Sequence, residues 1–278
     1  MLIKKLYTRY RKPLKLYWWR YNHPNKLNFG DELTPRIIES LFGRRCIWSP
    51  PDECDIAGAG SIIEILLEQK AQNKPLLWGS GFIKKGLQTI SLNDFNILAV
   101  RGASTLGRVM DSSRNTIALG DPGLLTSYLL DSQPRKKYRL GIVPHYVDLD
   151  SHVINELSKQ KGVKIISPLD PPIDVVRSIA MCESVISSSL HGLIVADSVG
   201  TPNAHLKLSD GLTGGLYKFN DYYSVFSDPS RYISLHPGDV LGKQPEIIVQ
   251  NIEQLYRSPA DIDSLKQDLI KSFPSVRF

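Results

Sequence analysis

The sequence lacks the features that mark secreted, metal-binding or membrane-spanning proteins. Its 278 residues include three cysteines, Cys46, Cys54 and Cys182, with no CxxC pair and no His/Cys cluster, so neither a disulfide framework nor a zinc site is predicted. No uninterrupted apolar run approaches the roughly 20 residues that span a bilayer. The charged start, MLIKKLYTRYRK, lacks the apolar core of a signal peptide. We therefore expect a cytoplasmic protein.

Acidic residues are absent from residues 1–30, which contain eight Lys and Arg and six Tyr and Trp. Subtracting these eight from the 34 basic residues of the chain leaves 26 against 28 acidic ones. The rest of the chain therefore has no basic excess, and no nucleic-acid partner is expected. Because cations and interfacial aromatic rings favour anionic membranes, we expect residues 1–20 to act as a peripheral anchor, without a span, on the inner face of the membrane. The alternative is a solvated segment whose aromatic rings pack on the first domain.

Beyond residue 30, short apolar runs alternate with longer amphipathic ones. This alternation predicts α/β units on largely parallel sheets, with the first strand at Arg45–Trp48. The polar stretch DSQPRKKY, residues 131–138, predicts a linker. We therefore predict a basic aromatic segment at 1–30, a Rossmann-like domain at 31–133, and a second one at 138–278 that ends in helices.

The segment VISSSLHGLIVADSVGTP, residues 185–202, carries the most informative motif. An apolar strand ends in three serines, and Leu190, His191 and Gly192 open a helix. Free N–H groups at a helix N-terminus favour an anion, hydroxyls add donors, and an imidazole there can transfer protons near neutral pH. The structural alternative is that Ser189 caps the helix and His191 forms a local hydrogen bond.

Polar groups also follow other predicted strands. Arg101, in VRGASTLGRV, is placed to hold a carboxylate or phosphate bidentately; the alternative is an interdomain salt bridge. The turns GAGS and WGSG, which contain Gly60 and Ser80, would let a ligand approach the backbone. They match no nucleotide-binding pattern and are equally consistent with tight turns that bind nothing.

Charged residues in loops and ahead of helices supply further candidates. Asp31, in NFGDELTP, and Asp121, in GDPG, are interpreted first as helix caps. Lys207 and Lys218 lie beside the glycine-rich loop SDGLTGG, which either closes over a ligand, where a lysine would face phosphate, or stays a surface loop. His145 follows a predicted strand near the expected cleft and is kept as a candidate.

Several of these segments together resemble the polysaccharide pyruvyltransferase family. The resemblance covers roughly residues 28–225 and rests on the order and spacing of NFGDELTP, GAGSIIE, WGSGF, VRGASTLGRV, ALGDPGLL, SSSLHG with the GTP that follows its helix, and KFNDYYSVF. It implies a two-domain fold like that of the GT-B glycosyltransferases. It also implies transfer of enolpyruvate from phosphoenolpyruvate to a sugar, commonly as a cyclic pyruvate ketal. Family members most similar to this chain act on bacterial exopolysaccharide repeat units, so a saccharide acceptor on a lipid carrier is expected.

The resemblance also implies roles for individual residues. The expected catalytic residues are His191, as proton carrier, and Arg101. The expected donor-binding residues are Arg101, Ser188, Ser189, Leu190, Gly192, Lys207 and Lys218, and the expected acceptor-binding residues are Asn28, Asp31, Gly60 and Ser80. Some relatives carry arginine where this chain has Ser189, so Lys207 or Lys218 would replace it, or the donor would be held more weakly. One proton carrier and several anion-binding groups suffice for the reaction, so neither a metal nor a cofactor is expected.

Two other functions stay open on the sequence alone. A GT-B-type glycosyltransferase that uses a nucleotide sugar would need groups for a base and a ribose, and no acidic residue for a ribose is evident after a strand of the second domain. A non-catalytic protein of polysaccharide assembly would have a decayed site, whereas Arg101 and His191 are retained.

Overall fold

Two parallel sheets form the framework of the protein. The computed structural model describes residues 12–20, 28–69, 73–110, 112–208, 214–228 and 231–274. The first sheet has the order β2-β1-β3-β4-β5-β6 and consists of β1 (Leu14–Tyr17), β2 (Cys46–Trp48), β3 (Ile56–Ala57), β4 (Leu76–Ser80), β5 (Asn96–Val100) and β6 (Ala118–Leu119). The second has the order β11-β10-β9-β7-β8 and consists of β7 (Tyr138–Val143), β8 (Val163–Ile165), β9 (Cys182–Ser187), β10 (Asn203–Leu206) and β11 (Ser234–Leu235).

Helices connect these strands and follow the last of them. The α-helices are α1 (Phe29–Phe42), α2 (Ile63–Glu68), α3 (Ala103–Leu106), α4 (His152–Ser158), α5 (Pro172–Ala180), α6 (Leu190–Ser198), α7 (Tyr217–Tyr223), α8 (Pro237–Val240), α9 (Pro245–Leu255) and α10 (Ile262–Ser272). Helices of the 3₁₀ type span Ser112–Thr116, Pro122–Leu129 and Tyr146–Asp148. In α5 the buried residues Pro172, Val175, Val176 and Ile179 lie on one face, as in an amphipathic helix. Within the described residues, no helix is both long and apolar enough to cross a membrane.

Both sheets have the doubly wound strand order. The first strand of each series, β1 or β7, lies between the second and third strands of that series, so the connections reverse direction beside it. Ligands of such sheets bind outside the carboxyl ends of the strands at this reversal. The structure thus confirms two Rossmann-like α/β domains, and it directs attention to the residues that follow β1, β3, β7 and β9.

The first sheet begins earlier than the sequence indicates. Strand β1 lies inside the predicted 1–30 segment and pairs in parallel with β2 and β3. Leu14, Leu16 and Trp18 are buried in the core, which corrects the predicted start of the first domain at residue 31. Residues 1–11, which form part of the predicted membrane anchor, and residues 21–27 lie outside the described residues.

The last helix packs on the first domain, although the sequence analysis assigns it to the second. Helix α10 contacts β5 and β6. The indole Nε1 of Trp78 donates to the carbonyl of Leu269 at 3.2 Å and to Ser272 Oγ at 3.1 Å. The rings of Phe42 and Phe273 stack with their centroids 4.0 Å apart. The chain therefore crosses back, and its end ties the two sheets together.

Leu269→Ala tests this crossing. Leu269 is fully buried, and truncation of a buried leucine costs about 2–5 kcal/mol, so the free energy of unfolding in urea should fall by that amount. Leu255, 57% exposed, gives the matched control, and Leu255→Ala should change stability little. Equal effects of the two substitutions would show that α10 does not pack as described.

Candidate active site

A cavity of about 350 Å³ lies between the two domains. Its wall contains residues that directly follow the strands at both reversals: Trp19 after β1, Gly60, Ser61 and Ile62 after β3, His145 and Tyr146 after β7, and Ser189, Leu190 and His191 after β9. The remaining lining residues are Asn28, Asp31, Ile65, Ile83, Arg101 and Lys218. The two reversal points thus share one cavity of the size that holds a small ligand.

The N-terminus of α6 opens into this cavity without a side-chain cap. Ser189 occupies the cap position, but its side chain makes no capping hydrogen bond, so the structural role considered for it is wrong. Its backbone N–H donates to Ser187 Oγ at 3.0 Å. The Ser189 hydroxyl and the first N–H groups of α6 therefore remain for a ligand, as an anion site requires.

Two neighbours of Ser189 do not line the cavity. The hydroxyl of Ser188 is buried, donates to Asp148 Oδ2 at 2.6 Å and accepts from the His145 N–H at 2.8 Å. Ser188 therefore positions the loop that carries His145, and its hydroxyl does not face the cavity in which a donor substrate is expected. Gly192 is buried against Ser187 where α6 packs on the sheet.

Arg101 is buried and already paired. Its Nε donates to Asp221 Oδ2 at 2.9 Å, and its terminal nitrogens donate to Ser61 Oγ and to the Phe82 carbonyl, each at 2.6 Å. Asp221 lies on α7 of the second domain, so this is the interdomain salt bridge that the sequence analysis left as the alternative. Arg101 forms part of the cavity wall, but it is not a bidentate clamp awaiting a ligand.

Lys218, from the same helix as Asp221, brings positive charge to the cavity. Its ammonium has no hydrogen bond or ion pair within the described part of the chain. Burial, followed by repulsion from Arg101, lowers its pKa to about 8, while Asp31 and Asp148 act in the opposite direction. Lys207 does not line the cavity, so Lys218 is the better placed of the two predicted lysines.

The helix cap predicted at Asp31 is formed by Asn28 instead, and the carboxyl of Asp31 lies at the cavity. Asn28 is the cap of α1, accepting from the Gly30 N–H at 3.2 Å. Asp31, in the first turn, leaves its carboxyl at the cavity, where burial and then the charge of Glu32 raise its pKa to about 7. Asp31 can therefore exchange a proton at neutral pH, which the sequence did not indicate. Ser80 is buried, donates to the Gly58 carbonyl and lies outside the cavity wall.

His191 is held closely by the first domain. A Cβ on Gly30 would lie 2.1 Å from His191 Nδ1, so any side chain at position 30 would displace the imidazole. The ring lies edge-on to Phe29, with centroids 6.5 Å apart. Burial, then repulsion from Lys218 and Arg101, lowers the pKa of His191 to about 3. The imidazole is therefore neutral at physiological pH and has one nitrogen lone pair free, although burial and the two cations make it a weak base.

Four polar or aromatic lining residues were missed or weakly indicated by sequence, as were the apolar Ile62, Ile65 and Ile83. Trp19 follows a strand that the sequence analysis does not contain, and Ser61 lies next to Gly60 in GAGS. Tyr146 follows His145, whose pKa is lowered to about 4 by burial and by Lys218. Each of these four stands directly after a strand at one of the two reversals, so correct strand order is the signal that would have found them.

Comparison with known proteins agrees with the motifs. The family model described as "Polysaccharide pyruvyl transferase" matches residues 2–210. The chain belongs to this family. The resemblance inferred from the sequence is thereby confirmed.

Two relatives each align with just over 200 residues of this chain. "Succinoglycan biosynthesis protein ExoV" of Rhizobium meliloti (strain 1021) is 29% identical over 212 residues, 75% of this chain and 64% of that protein. "Uncharacterized protein L143" of Acanthamoeba polyphaga mimivirus is 30% identical over 208 residues, 72% of this chain and 71% of that protein. The chain thus matches just under two thirds of the first relative.

Among solved structures, the crystal structure of an alpha1,3-fucosyltransferase aligns with 99% of this chain and 95% of that one, at 13% identity and a TM-score of 0.31.

Arg101→Ala separates the structural role of this arginine from ligand binding. The substitution leaves Asp221 buried and unpaired, which costs about 3–5 kcal/mol, so unfolding in urea should shift accordingly. Arg177→Ala, which breaks an exposed ion pair with Asp174, is the control and should change stability little. Unchanged stability of the Arg101 variant, with weaker anion binding, would restore the clamp interpretation.

Proposed function

We propose that this protein transfers pyruvate from phosphoenolpyruvate to a sugar of a lipid-linked bacterial exopolysaccharide repeat unit and forms a pyruvate ketal. Family membership supports the class of reaction. The observation that carries the proposal is the meeting of three groups in one cavity: the neutral imidazole of His191, the carboxyl of Asp31 and the ammonium of Lys218.

The donor would occupy the side of the cavity formed by α6 and α7. Phosphoenolpyruvate carries a carboxylate and a phosphate, and both suit the uncapped N–H groups of α6, the Ser189 hydroxyl and the Lys218 ammonium. Lys218 supports this placement best because no carboxylate in the described residues forms an ion pair with it. Arg101 contributes through its wall position and through the helix that it anchors.

The reaction requires three proton transfers, and the cavity offers groups for the first two. C3 of the enol gains a proton, a sugar hydroxyl loses its proton as its oxygen bonds to C2, and the bond from C2 to the phosphate oxygen breaks. A second hydroxyl then closes the ketal, and its proton passes to the released phosphate. We assign His191 to the sugar hydroxyl and Asp31, half protonated near pH 7, to C3. A bound anionic donor would offset the cations that depress the pKa of His191, and would make it a stronger base.

The acceptor would enter from the side of Trp19. This indole lines the cavity and is 42% exposed, which suits stacking against the apolar face of a sugar ring. Asn28, Asp31 and Gly60 lie in the same wall and would face its hydroxyls. Attachment to an anionic membrane stays a prediction from the composition of residues 1–30.

The decisive experiment offers the purified protein both kinds of donor. With phosphoenolpyruvate and lipid-linked oligosaccharides, the product should be heavier by one pyruvate less one water, with phosphate released in equal amount. His191→Gln should lower kcat by about 10²–10⁴ and keep donor affinity, whereas exposed His152→Gln should match the wild type. Transfer of a sugar from a nucleotide sugar instead would identify a glycosyltransferase, and no turnover with either donor would favour the assembly protein.

Donor affinity should depend on pH through Lys218. As the pH rises through about 8, the free protein loses the Lys218 proton, while the phosphate group is already fully ionised. Calorimetric titration with phosphoenolpyruvate should therefore show weaker binding above pH 8. Lys218→Met should weaken binding about ten-fold at pH 7, the loss of one charge-assisted hydrogen bond.

The same titration has a matched control. Lys271→Met removes an exposed lysine that does not line the cavity and should leave both the affinity and its pH dependence unchanged. A Lys218 variant that binds the donor normally, or keeps the wild-type pH dependence, would remove Lys218 from the donor site.

A further inference from the structure

Asp121 has one carboxylate oxygen in use and one without a partner. It precedes the 3₁₀ helix Pro122–Leu129, and its Oδ1 accepts from the Gly123 N–H at 2.8 Å. This is the capping role that the sequence predicts. Its Oδ2 is buried and has no hydrogen-bond partner in the described structure. A cap uses one oxygen, so it does not explain why the other is buried.

A candidate partner for that oxygen is His191. His191 Nε2 is also buried without a hydrogen bond among the described residues, and it lies 3.9 Å from Asp121 Oδ2. The distance is too long for a direct hydrogen bond. A movement of about 1 Å by either side chain would make one, and would satisfy two buried polar atoms that are otherwise costly to leave unpaired.

The two nitrogens of the His191 imidazole lie in different environments. Nε2 is buried and lies towards Asp121, whereas other atoms of His191 line the cavity. Nδ1 lies on the Gly30 side, close to where a Cβ would stand. Because Nε2 is buried, a substrate would meet the ring at Nδ1, and whether Nδ1 can accept a proton depends on where the single proton of the neutral ring sits.

We infer that Asp121 is a positioning residue: its Oδ2 holds the proton of His191 on Nε2, which leaves the Nδ1 lone pair free to accept the proton of the attacking sugar hydroxyl. The catalytic part of this inference rests on the proposed function. The pairing itself does not. An acceptor beside one ring nitrogen fixes the tautomer and orients the other, as in other carboxylate–histidine pairs.

Asp121→Asn is the sharpest test because the cap fixes how the new amide lies. The amide oxygen must stay on the Gly123 N–H, since an amide N–H₂ there would place two donors together. The N–H₂ group then faces His191 Nε2 and donates where the carboxylate accepted. The ring should therefore carry its proton on Nδ1 and lose its free lone pair towards the cavity.

Nuclear magnetic resonance reports the tautomer without any substrate. In the full chain labelled with ¹⁵N-histidine, two-bond ¹H–¹⁵N spectra distinguish the tautomers, and His191→Gln identifies the His191 signals. We expect Nε2–H in the wild type and Nδ1–H in Asp121→Asn, with the signals of His205 unchanged as the internal control. A wild-type Nδ1–H ring, or no change in the variant, would overturn the pairing.

Kinetics then separates positioning from packing. Asp121→Asn should lower kcat by about 10²–10⁴ with donor affinity and KM nearly unchanged, and an unchanged kcat would overturn the role in catalysis. If this variant does not fold, Asp121→Ser takes its place, because serine still caps a helix but is too short to reach His191. A neutral imidazole without a partner favours Nε2–H only a few-fold, so this variant should populate Nδ1–H measurably. A tautomer ratio equal to that of the wild type would overturn the pairing. A tautomer that switches as expected in a protein without pyruvyl transfer would refute the proposed function alone.

Discussion

The buried ion pair between Arg101 and Asp221 determines how the cavity is built. Two charges taken out of water are stabilised only when hydrogen bonds satisfy them fully. Here Thr105 supplies its backbone N–H at 2.8 Å and its hydroxyl at 2.7 Å to Asp221. The contact is so close that a Cβ on Gly102 would lie 1.7 Å from the Asp221 carbonyl oxygen. The pair joins β5 of one domain to α7 of the other, and α7 in turn places Lys218 in the cavity wall.

This arrangement separates the pKa values of the groups that face the cavity. Because Asp221 neutralises Arg101, the ammonium of Lys218 remains the main charge available to an anion. Asp31, buried beside Glu32, has its pKa raised to about 7, and His191, buried near two cations, has its pKa lowered to about 3. Environments that push pKa values in opposite directions are how neighbouring groups acquire the roles of acid and base.

The sequence predicts those parts of the site that depend on local pattern. The strand, the serines and the helix at 185–202 form one continuous unit, so the N-terminus of α6 could be placed from sequence alone. Pairings between distant positions have no local signal, and Arg101 therefore looked like a ligand clamp although Asp221, 120 residues away, already binds it. Strand β1 was missed because its four residues include a lysine within a basic segment. Without β1 the strand order, and hence Trp19, could not be derived.

The serine at position 189 fits this charge distribution. The family resemblance implies arginine at this position in some relatives, and a third cation beside Lys218 and Arg101 would lower the pKa of His191 still further. Ser189 offers a hydrogen bond without that charge, and the free N–H groups of α6 carry only partial charges. Since Lys218 already supplies a positive charge from α7, the side of the cavity formed by α6 and α7 keeps its attraction for an anion. The pKa of His191 is therefore not lowered further by a third cation, beyond the effect of burial, Lys218 and Arg101.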